Sequence, residues 1–318
     1  MTIYQVMERA VVVGSGQMGP GIAYTLASAG CNVTIFARTA ESVDRGIQAF
    51  QKAVDTLAGA ECLSEEQAAI IRGKIEGSTQ LESAVAQADL VIESIAEDAG
   101  IKQELFDRIE NSCSAKTILT SNTSGLPVAE LAGFLKYPER FAVTHFWNPP
   151  HLMPLVEIVK GEKTSEQTID RLTALLQEAG KAPVVVLKDT PGQLGNRLFH
   201  ALLREAIWMV QEGIASVEDV DTAIKNGLGR RFPVYGALEH QDVAGLSTVF
   251  AIQSYMCSAL CNDTEPARLL KEKVMAGDLG VKSGRGFYDW TKRDIASVLE
   301  KRDGFLIKLL KAELRGHP

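Results

Sequence analysis

Two residues twelve positions apart carry the first chemical suggestion in this sequence. His145 lies at the end of the run Phe141–Phe146, just before the turn Trp147-Asn148-Pro149-Pro150. Glu157 is a lone carboxylate within Leu155-Val156-Glu157-Ile158-Val159. A carboxylate in an apolar strand is costly unless paired. A histidine is its natural partner, because the acid fixes the imidazole tautomer and stabilises the imidazolium formed on proton uptake. A single histidine is more often structural; with a paired acid it points to general acid–base chemistry. Two further polar clusters stand at element ends. Ser121-Asn122-Thr123-Ser124-Gly125 follows the run Thr117–Thr120, and Asn196 interrupts Leu194-Gly195-Asn196-Arg197-Leu198. Each taken alone reads as a helix cap.

Gly14-Ser15-Gly16-Gln17-Met18-Gly19 fits GxGxxG. Three glycines in a chain with 27 of them are weak by themselves. Here they sit between the first β-branched run and the first helix-compatible segment, where they permit a sharp turn and close backbone approach to a pyrophosphate at a helix N-terminus. The second strand of such a unit normally ends in an acid that binds a ribose 2′-hydroxyl. This one reads Val33-Thr34-Ile35-Phe36-Ala37-Arg38-Thr39, with Ala37 at the acid's position and Arg38 after it. Losing a carboxylate and gaining a guanidinium suits a 2′-phosphate, so NADP is expected over NAD. The alternative is that Arg38 is a solvated surface residue and NAD binds without that contact.

These residues need elements to position them. Strand-like runs occur at Ala10–Val13, Val33–Phe36, Leu90–Ile95, Thr117–Thr120, Phe141–Phe146, Leu155–Val159 and Pro183–Leu187. Helix-compatible stretches at Gly21–Ala29, Ala40–Ile75 and Ile101–Ile109 alternate with the first of them, which predicts a parallel, doubly wound sheet. After Asp189-Thr190-Pro191-Gly192 the pattern is helical to the end, with apolar residues recurring at three and four in Leu194–Gln211, Val217–Ile224 and Phe305–Leu314. The expected fold is α/β, with a Rossmann-type dinucleotide-binding domain over 1–189 and an all-α domain over 190–318. Composition agrees: 318 residues suit two domains, and 46% hydrophobic with 23% charged residues excludes collagen-like and disordered chains. A net charge of −7 argues against nucleic-acid or anionic-membrane partners. Five cysteines, odd in number and without CxxC or metal-ligand spacing, predict reduced thiols and no metal. With no signal-peptide layout and no apolar run of membrane-spanning length, a cytoplasmic protein is expected.

The ordered motifs together resemble the 3-hydroxyacyl-CoA dehydrogenase family, including its branch acting on free hydroxy acids, L-gulonate 3-dehydrogenase (lambda-crystallin) and carnitine dehydrogenase. The resemblance spans nearly the whole chain. It rests on GSGQMG, on Glu93-Ser94-Ile95-Ala96-Glu97 with Lys102, on SNTS, on HFWNPPHLMPLVE, on Asp189-Thr190-Pro191-Gly192 with Asn196-Arg197, and on Lys282-Ser283-Gly284-Arg285-Gly286-Phe287-Tyr288. It implies a Rossmann-type domain, a helical domain that makes a homodimer, a small-molecule substrate and a place in fatty-acid metabolism. By this resemblance His145 is the base, Glu157 its orienting partner, Ser124 and Asn196 the groups holding substrate oxygens, and Asn148 a support of the site. Glu97, Lys102 and Asn122 match positions near the nicotinamide half of the cofactor. In oxidation His145 takes the 3-hydroxyl proton as hydride leaves C3.

The substrate is a 3-hydroxyacyl-CoA or a small free 3-hydroxy acid, and the residues point both ways. Pro154 before Leu155-Val156-Glu157, the run Gly227–Phe232 and the final helix after Lys301-Arg302-Asp303 resemble the free-acid branch, whereas GRGFYDW at Gly284–Trp290 is typical of the CoA branch. Over residues 39–80, where the family receives the CoA tail, four basic residues face seven acidic ones, a poor match to a phosphate-rich tail. Arg231 could clamp a free carboxylate bidentately, or be a surface ion pair of little consequence. A noncatalytic, crystallin-like dinucleotide-binding protein is the alternative. It is disfavoured because His145, Glu157, Ser124 and Asn196 are all present.

Overall fold

The computed structural model describes residues 7–316. Its contacts divide into two units, one taking the chain up to Leu194 and again from Asp303, the other Gly195–Arg302. The first unit contains, in order, β1 (Arg9–Val13), α1 (Gly19–Ser28), β2 (Asn32–Phe36), α2 (Ala40–Gly59), α3 (Glu65–Arg72), β3 (Ile75–Ser78), α4 (Leu81–Val85), β4 (Leu90–Glu93), α5 (Ala99–Ser112), β5 (Ile118–Ser121), α6 (Val128–Ala132), β6 (Phe141–Phe146), β7 (Leu155–Val159), α7 (Glu166–Glu178) and β8 (Ala182–Val186). They form one eight-stranded sheet in the order β3-β2-β1-β4-β5-β6-β7-β8.

Both faces of the sheet are covered, as a mostly parallel sheet requires. Along β1 the side chains alternate. Ala10 and Val12 join Ile22 and Leu26 of α1 and Phe50 and Leu57 of α2. Val11 and Val13 join Leu105, Phe106 and Ile109 of α5. The expected helical stretch Ala40–Ile75 is broken. Glu61 takes a left-handed φ of 56°, Ser64 and Gln67 close a capping box that starts α3, and Ile75 already belongs to β3. The sheet is also not parallel throughout. β7 runs antiparallel to β6, and β8 parallel to β7. The eight residues 147–154 are too few for a crossover, which needs a dozen or more, so the chain reverses directly.

The second unit is helical: α8 (Gly195–Gln211), α9 (Val217–Ala223), a π-turn at Ile224–Leu228, α10 (Gly229–Arg231), α11 (Ala237–Ala244), α12 (Leu246–Met256), α13 (Arg268–Met275) and the start of α14 (Ile295–Leu314). Between α13 and α14 the Gly280–Asp289 segment is irregular, with isolated bridges Gly280–Arg285 and Arg285–Asp289 instead of the expected helix. From Asp303 onward α14 groups with the sheet unit, where the sequence pattern kept everything beyond 190 in the helical part. Leu306, Ile307 and Leu310 pack, as Ala58, Cys62 and Leu63 do, against the buried core of that unit, and Lys311 lies 3.7 Å from Glu61. Among the described residues no helix is long and apolar enough to cross a membrane.

Candidate active site

The reversal between β6 and β7 sets His145 directly opposite Glu157 in the strand register. Opposed residues in an antiparallel pair stand about 5 Å apart at Cβ, close enough for side chains to bond. His145 Nδ1 lies 2.8 Å from Glu157 Oε2. Glu157 is fully buried and His145 nearly so. The carboxylate also accepts the Trp147 indole N–H on Oε2 at 3.1 Å and the Leu194 backbone N–H on Oε1 at 2.8 Å. With Nδ1 held by the acid, the tautomer assigned from this partner leaves Nε2 as the acceptor.

On the other side of β6, β5 supplies the Ser121–Ser124 segment. Asn122 Oδ1 accepts the Phe146 N–H at 2.9 Å, tying this segment to the residue after the histidine. Ser124 is exposed, and its N–H donates to Glu97 Oε1 at 3.0 Å. Glu97 also accepts from the Thr123 hydroxyl and faces the Lys102 ammonium at 3.5 Å. Partial burial pushes the Glu97 carboxyl up, but the Thr123 hydroxyl, the Lys102 charge and the Ser124 N–H outweigh it, leaving Glu97 below the usual carboxylate range. Lys102 does not extend into open space. It is buried against Glu93 at 2.5 Å, and Glu93 is held in turn by the Ser121 hydroxyl at 2.5 Å and the Ile95 N–H at 2.6 Å.

The glycine loop follows β1 and opens α1, at the β1–β4 junction where strand order reverses and doubly wound folds bind ligands. Each glycine has its own reason. Gly14 has φ of 122°, and a Cβ there would lie 2.3 Å from the Ser94 carbonyl oxygen; one on Gly19 would lie 1.9 Å from the Gly14 oxygen. A Cβ on Gly16 would meet only open space, where a phosphate would approach. Met18 caps α1 without a side-chain bond, and no acid occupies its first turn, so the helix N-terminus suits an anion. Gln17 is exposed, and Met18 packs partly on the core. Beside the loop, a cavity of about 500 Å³ is lined by Gly14, Ser15, Ala37, Arg38, Thr39, Ser42 and Arg108. Ala37 is buried; Arg38 is exposed and makes no ion pair among the described residues. The residues present therefore fit a dinucleotide.

Asn148 is exposed beside the cis Asn148–Pro149 bond. Asn196 and Arg231 belong to the second unit, Asn196 half-buried at the start of α8 and Arg231 exposed at the end of α10. Sequence reasoning did not single out Trp147, Glu93, Thr123 or Arg108. Glu93 carried the same signal as Glu157, a single acid in the buried run Leu90-Val91-Ile92-Glu93. Trp147 offered no spacing signal, since only the turn brings its ring back to the carboxylate.

Residues 9–190 match the model of the 3-hydroxyacyl-CoA dehydrogenase NAD binding domain, and residues 192–290 that of the C-terminal domain. The 5-formyl-3-hydroxy-2-methylpyridine 4-carboxylate 5-dehydrogenase of Mesorhizobium japonicum is 33% identical over 296 residues, covering 93% of this chain and 95% of the relative. A probable 3-hydroxybutyryl-CoA dehydrogenase of Bacillus subtilis is 39% identical over 288 residues, 90% of this chain and 99% of the relative. A crystal structure of the pyridine carboxylic acid dehydrogenase, an NAD+-dependent dismutase, matches with a TM-score of 0.90 at 32% identity, over 98% of this chain and 100% of that one. The (S)-3-hydroxybutyryl-CoA dehydrogenase of Ralstonia eutropha matches with 0.76 at 34% identity, over 90% and 100%. The chain belongs to the 3-hydroxyacyl-CoA dehydrogenase family of oxidoreductases acting on CH–OH groups.

Proposed function

We propose that this protein interconverts a hydroxyl and a carbonyl on a small free carboxylic acid, and that it prefers NADP(H) to NAD(H). The observation carrying the reaction is the 2.8 Å contact between His145 and the buried Glu157 at the sheet end that also bears the glycine loop. The nicotinamide, when bound, supplies the hydride acceptor for the carbinol carbon. His145 Nε2 receives the hydroxyl proton, and Glu157 balances the imidazolium charge that results. In the reductive direction the same ring returns the proton to the carbonyl oxygen. Ser124 and Asn196 are assigned to the substrate oxygens and Asn148 to support of the site. Asn122 and Glu97 are assigned to the nicotinamide side; Lys102, being buried, acts there by holding Glu97.

Three observations support a free acid over a thioester. The helices over 39–80 carry net negative charge. The final helix reaches that same stretch, with the Lys311 ammonium 3.7 Å from Glu61. The structure with the TM-score of 0.90 is of an enzyme named for a pyridine carboxylic acid. Arg231 is the candidate clamp for the carboxylate. The NADP(H) preference is supported by Ala37 in place of an acid and by the exposed Arg38 guanidinium lining the cavity beside the loop.

The test is reduction by NADPH and NADH, in separate assays, of acetoacetyl-CoA and of a panel of free 3-oxo acids, with His145→Ala as control. Turnover of a free acid, at least about tenfold better with NADPH and abolished in His145→Ala, is expected. Faster turnover of the thioester would overturn the free-acid reading. An unchanged NADPH affinity in Ala37→Gly with Arg38→Asp would end the nucleotide assignment.

A further inference from the structure

The carboxylate that partners His145 is shared. Trp147 turns its indole back over the hairpin so that Nε1–H donates to Glu157 Oε2 at 3.1 Å, the same oxygen that His145 Nδ1 meets at 2.8 Å. The two rings lie 5.9 Å apart, tilted by 53°. We propose that Trp147 is a positioning residue of the dyad. Its N–H fixes the plane of the carboxylate and draws off part of the negative potential that the imidazole meets, and so sets the pH range over which His145 acts as a base. The proposal rests on the assignment of His145 as the proton-transferring group.

The physical basis is the response of a buried carboxylate to its donors. Each N–H aimed at an ionised acid stabilises that charge, and in a dry site the effect is not screened away. A donor on Oε2 competes for the oxygen that must stabilise the imidazolium, whereas the Leu194 N–H occupies the other oxygen. The titratable partner of His145 is Glu157 on β7. β5, flanking β6 on its other side, presents the Thr120 hydroxyl to Thr144 and the Asn122 amide to Phe146, neither of which titrates. Among the described contacts, the charge that His145 meets is that of Glu157, and the Trp147 indole is the donor on the same oxygen. A phenylalanine at 147 would keep an aromatic ring in the turn and lose only the donor.

The first experiment compares wild-type with Trp147→Phe in the oxidative direction across the pH range in which histidine titrates. A fall in kcat of about tenfold is expected, with KM for the cofactor unchanged. The acidic limb of the kcat/KM profile should move to higher pH by roughly half a unit, because an undivided Glu157 charge favours the imidazolium. A profile superimposable on that of wild-type overturns the proposal, however far kcat has fallen. The second experiment needs neither turnover nor the folding of that variant. In protein carrying isotope-labelled tryptophan, with Trp208→Phe and Trp290→Phe used for assignment, the Trp147 indole N–H should resonate downfield of free indole and shift in Glu157→Gln. A free-indole resonance indifferent to Glu157→Gln overturns the proposal. If instead His145→Ala keeps its activity while this resonance behaves as expected, the assignment of His145 fails and the indole contact stands.

Discussion

Glu157 holds its place in an apolar strand because N–H groups on both its oxygens keep the charge solvated once water is gone. That requirement made its contact with His145 legible in the sequence, since a lone acid in Leu155–Val159 demanded a partner. The identical logic applied to Glu93, whose buried partner Lys102 was assigned to the cofactor by resemblance and instead lies at 1% exposure against the acid. The lone acid called for a basic partner, but spacing did not name Lys102, because the non-helical residues 94–98 separate β4 from α5. Trp147 was not legible, because a turn's course, and not its composition, aims the indole. Glu157→Gln removes the charge and replaces an acceptor by an amide that cannot hold the same imidazole tautomer without turning. We expect kcat to fall by about 10² to 10⁴ while the dissociation constant of the dinucleotide, measured by fluorescence titration, stays within about twofold. A loss of cofactor binding of the same size would show that Glu157 supports the fold and not the chemistry.

At the level of elements, the strands were readable as apolar runs, but their directions were not taken from the run lengths. Eight residues between Phe146 and Leu155 already dictate an antiparallel return. Four elements, the short β3, α4 and α6 and the longer α7, went unread; β3 reads Ile75-Glu76-Gly77-Ser78 and gives no apolar run to see. The return itself is pinned from outside. Lys181, between α7 and β8, donates its ammonium to the Pro150 carbonyl at 2.6 Å and the Met153 carbonyl at 3.1 Å. Desolvation pulls its pKa down to about 8. Below that pH the lysine is charged whether the chain is folded or not. From about 8 up to the ordinary lysine value the unfolded chain binds the extra proton, so this group adds stability as pH rises, by at most about 1.4 kcal/mol per pH unit. Cys31, raised to about 11 by burial, and Tyr24, raised to about 12, act in the opposite sense at higher pH. The quantity to measure is therefore the difference between wild-type and Lys181→Met in urea midpoint on either side of pH 8. The wild-type midpoint should gain on the variant as pH rises, and parallel curves would rule this coupling out.

For the whole molecule, the sheet unit has a core of its own, while Gly195–Arg302 does not reach one from its own side chains. Its buried hydrophobic residues are Ile207, Val220 and Cys261, whereas Leu238 of α11 is 85% exposed and Phe250 of α12 is 75% exposed. α12, Leu246–Met256, reads LSTVFAIQSYM and buries no residue at all. Periodicity could not separate an interface from a core in the helical domain, so the sequence did not say which of its helix faces stay uncovered. Burying a Leu or Phe side chain stabilises by roughly 1.5–3 kcal/mol, and monomers rarely leave contiguous patches of this kind in water. A second copy of the chain, meeting the same face across a twofold axis, would supply the missing surface without any new partner. The protein should therefore sediment as a homodimer at micromolar concentration. Leu238→Asp with Phe250→Asp should shift it to monomer, and with the α12 face left in water the thermal midpoint should fall by several degrees, since about 1 kcal/mol moves Tm by roughly 2–4 °C in a domain of 150–250 residues. A wild-type chain that stays monomeric in analytical ultracentrifugation, with a sharp and concentration-independent melt, would remove the dimer from the description and leave the exposed α11–α12 face to another occupant.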